Sequence, residues 1–355
     1  MKMSFYQELQ LNQGASKEVI RQAESVKEKA YHIGVYIFKI LITMLFCVAF
    51  VTAYSKIFGS DNSIVGVVTL LCLLSFRFTN TALKTSHGIA AMVMIFIILA
   101  VGPRLANSGG LEMQLLVNLI SILLITILGC RNVMFFNHST LVLGYLLLFG
   151  YDVTGEAYNM RLWAILAGAV MTIVVYYRNH RDKHYDSTLI DLIKEFSLQS
   201  SRTKWQISIT VGISLLMFIA GVLGFPRTMW IGIAAMSVIQ PVQANLGQRV
   251  KERIWGNLVG SIVFVVLCGL VPEPLRFTFG IIGGIGVGLS ASYGWQAVFN
   301  SLGAMTIAIG FLGVKGAMFF RIFNNVCGSV FGYLFHCIAS KILQFCEDSE
   351  TFAIE

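Results

Sequence analysis

Five basic side chains lie at or near the ends of long apolar segments, where a positive charge can attract an anion. They are Arg161, Arg321, Arg253, Lys84 and Arg227. Two of them share a pattern, since Arg161 and Arg321 are each followed, after six intervening residues, by Gly168 and Gly328. One interpretation is that these residues line an anion path. The alternative is that they anchor helix ends at the membrane surface, with their charged groups reaching water.

A helix break is predicted within residues 225–261. A short apolar run starts at Trp230 and stops at Gln240 and Pro241, because proline lacks a backbone donor and disfavours helix in the residue before it. Short or interrupted helices at matching places in two halves of a chain indicate a transporter's binding site. Trp230, Gln240, Pro241 and Asn324 are therefore candidate substrate or helix-break residues. For the amide of Asn324 the alternative is hydrogen bonding between helices.

Glycines recur at four-residue spacing in several apolar segments. Such small-residue ridges let helix backbones touch in lipid, where no hydrophobic drive brings helices together. The sequence therefore predicts helix packing at Gly256, Gly260, Gly284, Gly288 and Gly328.

Known enzyme motifs do not occur in the sequence. It contains no G-x-x-x-x-G-K-[ST], no H-E-x-x-H and no G-x-S-x-G, the patterns of nucleotide, zinc-protease and esterase sites. His180 and His184 are four residues apart, but no third metal ligand lies near them in the sequence. We predict no enzymatic activity, no catalytic residue, no metal and no cofactor.

The composition indicates the class of protein that must position these residues. Of 355 residues, 56% are hydrophobic and 12% charged, whereas soluble domains have about a quarter charged. Most of the surface must therefore face lipid. We predict an all-α integral membrane protein, because helices satisfy their own backbone hydrogen bonds in lipid.

About twelve apolar segments are candidate membrane spans, because crossing a bilayer takes about 17–25 helical residues. They are 35–58, 63–78, 87–103, 112–128, 133–150, 158–177, 206–224, 228–242, 254–271, 274–291, 293–312 and 319–341.

The basic residues predict the orientation of these spans. With the N-terminus inside, 19 of the 26 Lys and Arg residues fall on the cytoplasmic side and seven on the outer side, as the positive-inside rule expects. Both termini are then cytoplasmic. The formal net charge of +8 is therefore explained by topology, and no nucleic acid partner is expected.

Matching residues in the two halves indicate an internal duplication. Gly66 aligns with Gly232, and Arg161 with Arg321, in the same order along the chain. Six spans per half make the copies parallel repeats. The predicted organisation is a cytoplasmic amphipathic leader (1–33), a first six-helix repeat (34–178), a cytoplasmic linker (179–205), a second repeat (206–341) and a cytoplasmic tail (342–355).

The segment 225–261 joins the broken helix to a basic stretch and then to R-x-x-G-x-x-x-G at Arg253, Gly256 and Gly260. This pattern resembles the fusaric acid resistance-like (FUSC) family, the integral membrane bound transporter domain that includes aromatic acid exporters. The resemblance implies a secondary transporter for efflux of organic anions, first of all aromatic carboxylates, across the plasma membrane. Many bacterial members carry a large soluble domain, where this chain has only a short linker.

Two other classes of function stay open on the sequence. A passive anion channel would use the same basic residues and small-residue packing. A membrane scaffold that transports nothing would use the leader and linker to bind a partner or acidic lipid. The expected partners are the lipid bilayer and a small organic anion, and the sequence makes no prediction of oligomeric state.

Overall fold

The structure is a computed structural model that describes residues 3–241 and 246–343. Helix makes up 83% of the described residues, and no strand occurs among them. The prediction of an all-α fold is confirmed. The predicted tail lies mostly outside the described residues, as do Lys2 and positions 242–245.

Fourteen helices occur in the part of the chain that the structure describes. They are α1 (Phe5–Leu9), α2 (Gln13–Gln22), α3 (Val26–Phe58), α4 (Ser63–Phe76), α5 (Thr85–Ser108), α6 (Leu111–Gly129), α7 (His138–Gly150), α8 (Gly155–His180), α9 (Leu189–Lys194), α10 (Ser201–Val222), α11 (Thr228–Val238), α12 (Leu246–Leu270), α13 (Thr278–Leu289) and α14 (Tyr293–Leu343).

Seven of these helices are long and apolar enough to cross a membrane: α3, α5, α6, α8, α10, α12 and α14. Three shorter apolar helices accompany them, α4 (which follows a 3-10 turn), α7 and α11. The chain is therefore a multi-pass membrane protein. The predicted count of twelve spans and the predicted cytoplasmic termini stay predictions.

Several helix boundaries differ from those predicted. Helix α3 starts at Val26, so the end of the predicted leader continues directly into the first span. Helix α12 starts at Leu246, so the basic stretch before Arg253 is helical and not a turn. Both differences have one cause: charged residues such as Lys and Glu favour helix as well as apolar ones do, and hydropathy alone does not detect them.

Helix α14 contains 51 residues and is interrupted once. Gly313 has φ 65° and ψ 175°, a conformation that side chains with a Cβ rarely adopt. The interruption separates two helices, and it falls between the predicted spans 293–312 and 319–341.

The chain forms two compact units, and their boundaries differ from those of the predicted repeats. The smaller unit comprises the described parts of Met1–Phe50 and Trp255–Arg321, and the larger unit those of Val51–Ile254 and Ile322–Glu355. Each unit therefore combines segments that are distant in the sequence.

In the larger unit, α8 shows the polarity expected of a helix in lipid. Its exposed face is an apolar stripe of Trp163, Leu166, Val170 and Val174, whereas its buried face contains Arg161, Gly168 and Thr172. Polar and small residues thus lie inside and large apolar ones outside, which is the reverse of a soluble helix. The first turn holds Glu156 and the last Arg178, charges that suit the two ends of the helix dipole.

Two contacts in the larger unit recur at matching places of the two sequence halves. A Cβ at Gly66 on α4 would lie 2.9 Å from Tyr54 on α3, and one at Gly232 on α11 would lie 2.7 Å from Met217 on α10.

The last helices of the halves repeat a second contact. A Cβ at Gly168 on α8 would lie 2.3 Å from Thr69 on α4, and one at Gly328 on α14 would lie 2.5 Å from Ile231 O on α11. These recurring contacts support the duplication, which stays a prediction.

In the smaller unit, glycines bring α12 and α14 together. A Cβ at Gly256 would lie 2.5 Å from Gly294 O, and one at Gly260 would lie 2.3 Å from Val298 O. Gly284 and Gly288 on α13 are in similar contact with Met44 and Ile40 of α3. These four glycines and Gly328 all occupy close helix contacts, as expected for a packing role.

Candidate functional site

The predicted helix break lies inside the larger unit. Helix α11 ends at Val238, just before Gln240 and Pro241. Gln240 is 4% exposed and its Nε2 donates to Met236 O at 3.0 Å. Backbone that is not helical is tolerated within a membrane protein only where protein or a water-filled cavity surrounds it. The side chain of Gln240 thus satisfies a carbonyl that the end of α11 leaves without an intrahelical partner.

Polar and aromatic side chains surround this break. We call Asn80, Asn137, His138, Trp205 and Gln240 the inner polar cluster, because the charge distribution assigns this end of the unit to the cytoplasm. All five are buried.

Hydrogen bonds connect the inner polar cluster to the ends of α6 and α11. His138 Nε2 lies 3.3 Å from Gln240 Oε1, and Trp205 Nε1 donates to Ile239 O at 3.2 Å. Asn137 Nδ2 donates to Asn80 O and Gly129 O, both at 2.8 Å. These bonds satisfy backbone groups at the ends of helices, where they would otherwise be costly to bury.

Arg253 lies on α12, which follows the break. The residue is 8% exposed, and its Nη2 donates to Asn325 Oδ1 on α14 at 3.0 Å. The amide oxygen is a neutral acceptor, and this bond orients the guanidinium. Four residues earlier, Arg249 Nε donates to Ser237 O at 2.8 Å, which places a cation at the C-terminal end of α11, where the helix dipole favours it.

Arg161 holds together the opposite end of the larger unit. It is 3% exposed, and its Nε donates to Asn62 Oδ1 at 3.0 Å and its Nη2 to Asp61 O at 3.1 Å. Asn62 Nδ2 in turn donates to Phe58 O at 2.9 Å and Ala157 O at 3.0 Å. This arrangement joins the ends of α3, α4 and α8 inside the protein, so the guanidinium of Arg161 does not reach water, and its role in an anion path stays a prediction.

A similar arrangement surrounds the start of α11. Asn324 Nδ2 on α14 donates to Pro226 O at 2.9 Å and Arg227 O at 3.2 Å. Arg227 has φ 57° and donates to Gly150 O at the end of α7, at 3.1 Å. Its guanidinium carbon lies 5.2 Å from the centre of the Tyr151 ring, within the range of a cation–π contact. The amide of Asn324 therefore joins α14 to the start of α11, as expected if it serves for hydrogen bonding between helices.

The remaining predicted residues occupy separate places. Trp230 is 2% exposed within α11, and Arg321 is 6% exposed within α14. Lys84 precedes the first residue of α5, is exposed, and its backbone N–H donates to Ser187 O at 2.9 Å. The structure thus brings Arg227 and Asn324 together, and it places Arg161 and Lys84 at other positions of the larger unit.

The sequence analysis missed an ion-pair cluster at the inner end of the larger unit. Glu195, just after α9, accepts from Arg131 Nε at 3.1 Å and Nη2 at 2.9 Å, and from Arg202 Nη2 at 3.0 Å. Burial raises the pKa of the Glu195 carboxyl, but the hydrogen bonds and charges of the two arginines outweigh it and hold that pKa below its usual range. Two features of the sequence could have indicated this cluster. Arg131 closely follows a predicted span, and the linker contains the oppositely charged Glu195 and Arg202.

In the described residues, no group of three His, Cys, Asp or Glu side chains is placed to hold a metal ion. The chemistry that the arrangement offers is therefore electrostatic and hydrogen bonding. It has three parts. The buried guanidinium of Arg253 bonds to the Asn325 amide, Gln240 and His138 lie at the end of α11, and Arg131 and Arg202 bond to the carboxylate of Glu195.

Comparison with known proteins confirms the family resemblance. Residues 215–335 match the model of the fusaric acid resistance protein-like family, a segment that runs from within α10 into α14 and includes Trp230, Gln240 and Arg253. No curated protein and no solved structure matches the chain. The family match and the apolar helices together indicate a membrane transporter. Members of the family are transporters and not enzymes, which fits the absence of enzyme motifs in the sequence.

Proposed function

Since residues 215–335 match the fusaric acid resistance protein-like family, we propose that this chain is a secondary transporter that exports organic anions. Aromatic carboxylates are the first substrate class to test, and the plasma membrane is the proposed location. The observation that carries the proposal is the buried Arg253, whose guanidinium is oriented by the neutral amide of Asn325.

A charged side chain within membrane helices is costly and marks a substrate or ion pathway in many transporters. Arg253 is buried on α12, the helix that follows the end of α11, so a positive charge and the end of a broken helix lie close together in the sequence. In transporters, substrate sites are typically formed by such discontinuous helices. A carboxylate that reached the guanidinium would gain a charge-assisted hydrogen bond, and a planar guanidinium suits a carboxylate geometrically.

Aromatic substrates are favoured by the residues at the break. Trp205 and His138 are buried in α10 and α7 and contact Ile239 and Gln240. Aromatic rings pack against one another in offset or edge-to-face arrangements, as the 5.0 Å T-shaped contact between His138 and Trp205 shows. The ring of benzoate can pack in the same way against Trp205 or His138, and its carboxylate can bind the guanidinium of Arg253.

Transport by purified protein in liposomes tests this proposal. Radiolabelled benzoate should exchange across the membrane faster with protein than in empty liposomes. Arg253→Gln should slow the exchange at least about tenfold, equivalent to about 1.4 kcal/mol. The matched control is Arg178→Gln, because Arg178 is exposed in the last turn of α8, and it should transport normally.

Three results would count against the proposal. If none of a panel of aromatic acids moved faster than in empty liposomes, the substrate class would be wrong. If Arg253→Gln and Arg178→Gln had equal rates, Arg253 would have no role in the path. Anion current proportional to voltage, without saturation, would indicate the passive channel instead.

A further inference from the structure

The geometry at Glu195 points to a second anion site, at the inner end of the larger unit. We propose that Arg131 and Arg202 form a carboxylate-binding site whose resident ligand is Glu195 of the linker, and that a carboxylate substrate binds there by displacing Glu195. The identity of that substrate rests on the proposed function, whereas the site itself rests on the contacts that follow.

The two arginines enclose one carboxylate from two sides. Arg131 binds it with Nε and Nη2, at 3.1 Å and 2.9 Å, as a two-pronged fork. Arg202 adds a third bond, from Nη2 to Oε2 at 3.0 Å. The two positive charges thus meet the one negative charge of Glu195, and Arg131 also attracts the Asp191 carboxylate electrostatically. The two arginines would bind an external anion more strongly when Glu195 is absent.

Contacts with backbone carbonyls also position the arginines. Arg202 Nη1 donates to Arg131 O at 3.3 Å, and Arg131 Nη1 lies 3.4 Å from Ala82 O. The side chain of Arg202 is 9% exposed and that of Arg131 is 20% exposed. Because neither of these bonds involves Glu195, they should hold the guanidinium groups in position after Glu195 leaves, which lowers the cost of binding a new anion.

An apolar wall adjoins the arginine pair. A cavity of about 10 Å³ lies between Ile127, Leu192, Phe196, Gln206 and the two arginines. This volume is close to that of one water-sized sphere, so an aromatic ring fits only when α9 moves. The substrate that suits an opened site has an apolar ring and a carboxylate, and it would place the ring on Phe196 and the carboxylate on the arginines.

The segment that carries Glu195 is short and half-exposed. Helix α9 has six residues; Leu192 packs with Leu83 and Ala91, whereas Ile190 is 61% and Ile193 75% exposed. Thr188, just before α9, bonds to Asp191, and the attachments to α5 are the bonds of Ser187 O with Lys84 N and of Leu189 N with His87 Nδ1. A short element with little buried apolar surface opens locally at low free-energy cost. When an external carboxylate displaces Glu195, the two arginines exchange one carboxylate for another and keep the same kind of hydrogen bonds.

Chemical rescue tests the site directly, without measuring transport. Glu195→Ala removes the resident carboxylate, and acetate is small enough to take its place. In nanodiscs, acetate should raise the melting temperature of Glu195→Ala, with a half-maximal concentration at least about tenfold below that of the unchanged protein. Asp191→Ala is the matched control: its carboxylate lies on the adjoining helix, bonds to Thr188 and attracts Arg131 only electrostatically, so acetate should act on this variant much more weakly than on Glu195→Ala.

A second variant shows whether the arginines receive the acetate. Arg202→Gln combined with Glu195→Ala should lose the rescue, and Glu195→Gln, which keeps the side chain in place, should be rescued less well than Glu195→Ala. If chloride protected Glu195→Ala as well as acetate did, the site would not recognise carboxylates and the proposal would be overturned. It would also be overturned if acetate acted equally on the Glu195 and Asp191 variants.

The outcome is separable from that of the transport assay. Rescue by acetate without benzoate exchange would leave this site standing and remove the proposed function. Benzoate exchange without rescue by acetate would support the proposed function and overturn this second site, because transport would then depend on Arg253 and not on Arg131 and Arg202.

Discussion

Arginines occupy both ends of the larger unit, but they bind different partners there. At the predicted outer end, Arg161 donates to an asparagine oxygen and a backbone carbonyl, and Arg227 donates to the carbonyl of Gly150. At the predicted inner end, Arg131 and Arg202 donate to the carboxylate of Glu195. Arg161 and Arg227 thus bond to neutral oxygens, whereas the inner pair bonds to an anion. The outer end also holds one ion pair, because Arg104 donates to the carboxylate of Asp152 at 2.7 Å.

This difference separates two uses of the same side chain. Arg227 satisfies the carbonyl of Gly150 at the C-terminal end of α7, where the helix dipole favours its charge. That carbonyl and the two acceptors of Arg161, the Asn62 amide oxygen and the Asp61 carbonyl, are neutral groups of the fold. A guanidinium bonded to a side-chain carboxylate has a partner that another carboxylate can replace. The outer arginines therefore stabilise the fold, and the inner pair is suited to binding.

The largest effect is expected at the outer end. Arg161→Gln removes charged hydrogen bonds to Asn62 and to the carbonyl of Asp61, both at the junction of three helices. We expect a loss of about 3 kcal/mol in the free energy of unfolding, measured by denaturant titration in detergent micelles. Arg161→Lys should recover only part of it, because lysine lacks the planar fork. Full recovery with lysine would show that charge alone matters and would weaken the comparison.

A smaller effect is expected at the contact of α11 with α14, since α11 runs between the two ends. Gly328→Ala would place a methyl group 2.5 Å from Ile231 O, and overpacking of this kind costs about 1–3 kcal/mol. Gly303→Ala is the control, in the part of α14 that precedes the interruption at Gly313, because no atom lies within 4 Å of its Cβ position. Measured by thermal unfolding, the melting temperature of Gly328→Ala should lie below that of the unchanged protein, and that of Gly303→Ala should not change. Equal melting temperatures would mean that the helices do not touch at Gly328.

The smallest effect is expected from pH at the inner end. The pKa of Glu195 is depressed in the folded state, so its bonds to the arginines stabilise the linker above the ordinary glutamate pKa. That contribution disappears as the pH falls through the depressed value. Because the side chain is 32% exposed, we expect less than about 1 kcal/mol.

Hydrogen exchange of α9 measures this pH effect. Exchange in α9, corrected for its intrinsic pH dependence, should become faster at acid pH in the unchanged protein, and Glu195→Gln should exchange fast at every pH. A linker whose protection did not depend on pH in either protein would mean that Glu195 does not hold it.

The sequence was sufficient to predict the helices and the break because both depend on neighbouring residues. Apolar runs and the pair Gln240 and Pro241 are local patterns, and so is the spacing of Gly256 and Gly260. The start of α12 was missed for the opposite reason, since its first turns are charged and resemble a loop in hydropathy.

The two ends of the larger unit were not predictable because their contacts join distant residues. Arg131 and Glu195 belong to different segments, and nothing in the spacing of either shows that they meet. His138 and Gln240 are likewise brought together only by the packing of α7 and α11. Arg161 was singled out for its pattern, but its partners at Asn62 and Asp61 are visible only in the fold.

We propose that anions bind in the larger unit at the inner arginines and not at the outer ones. Binding of radiolabelled benzoate to purified protein in nanodiscs, normalised to the folded fraction, tests this most directly. Arg131→Gln with Arg202→Gln should remove one binding site and leave the site at Arg253, whereas Arg161→Lys with Arg227→Lys should leave the amount bound unchanged and the affinity within about twofold. Equal losses in both pairs, or a loss confined to the outer pair, would contradict the claim.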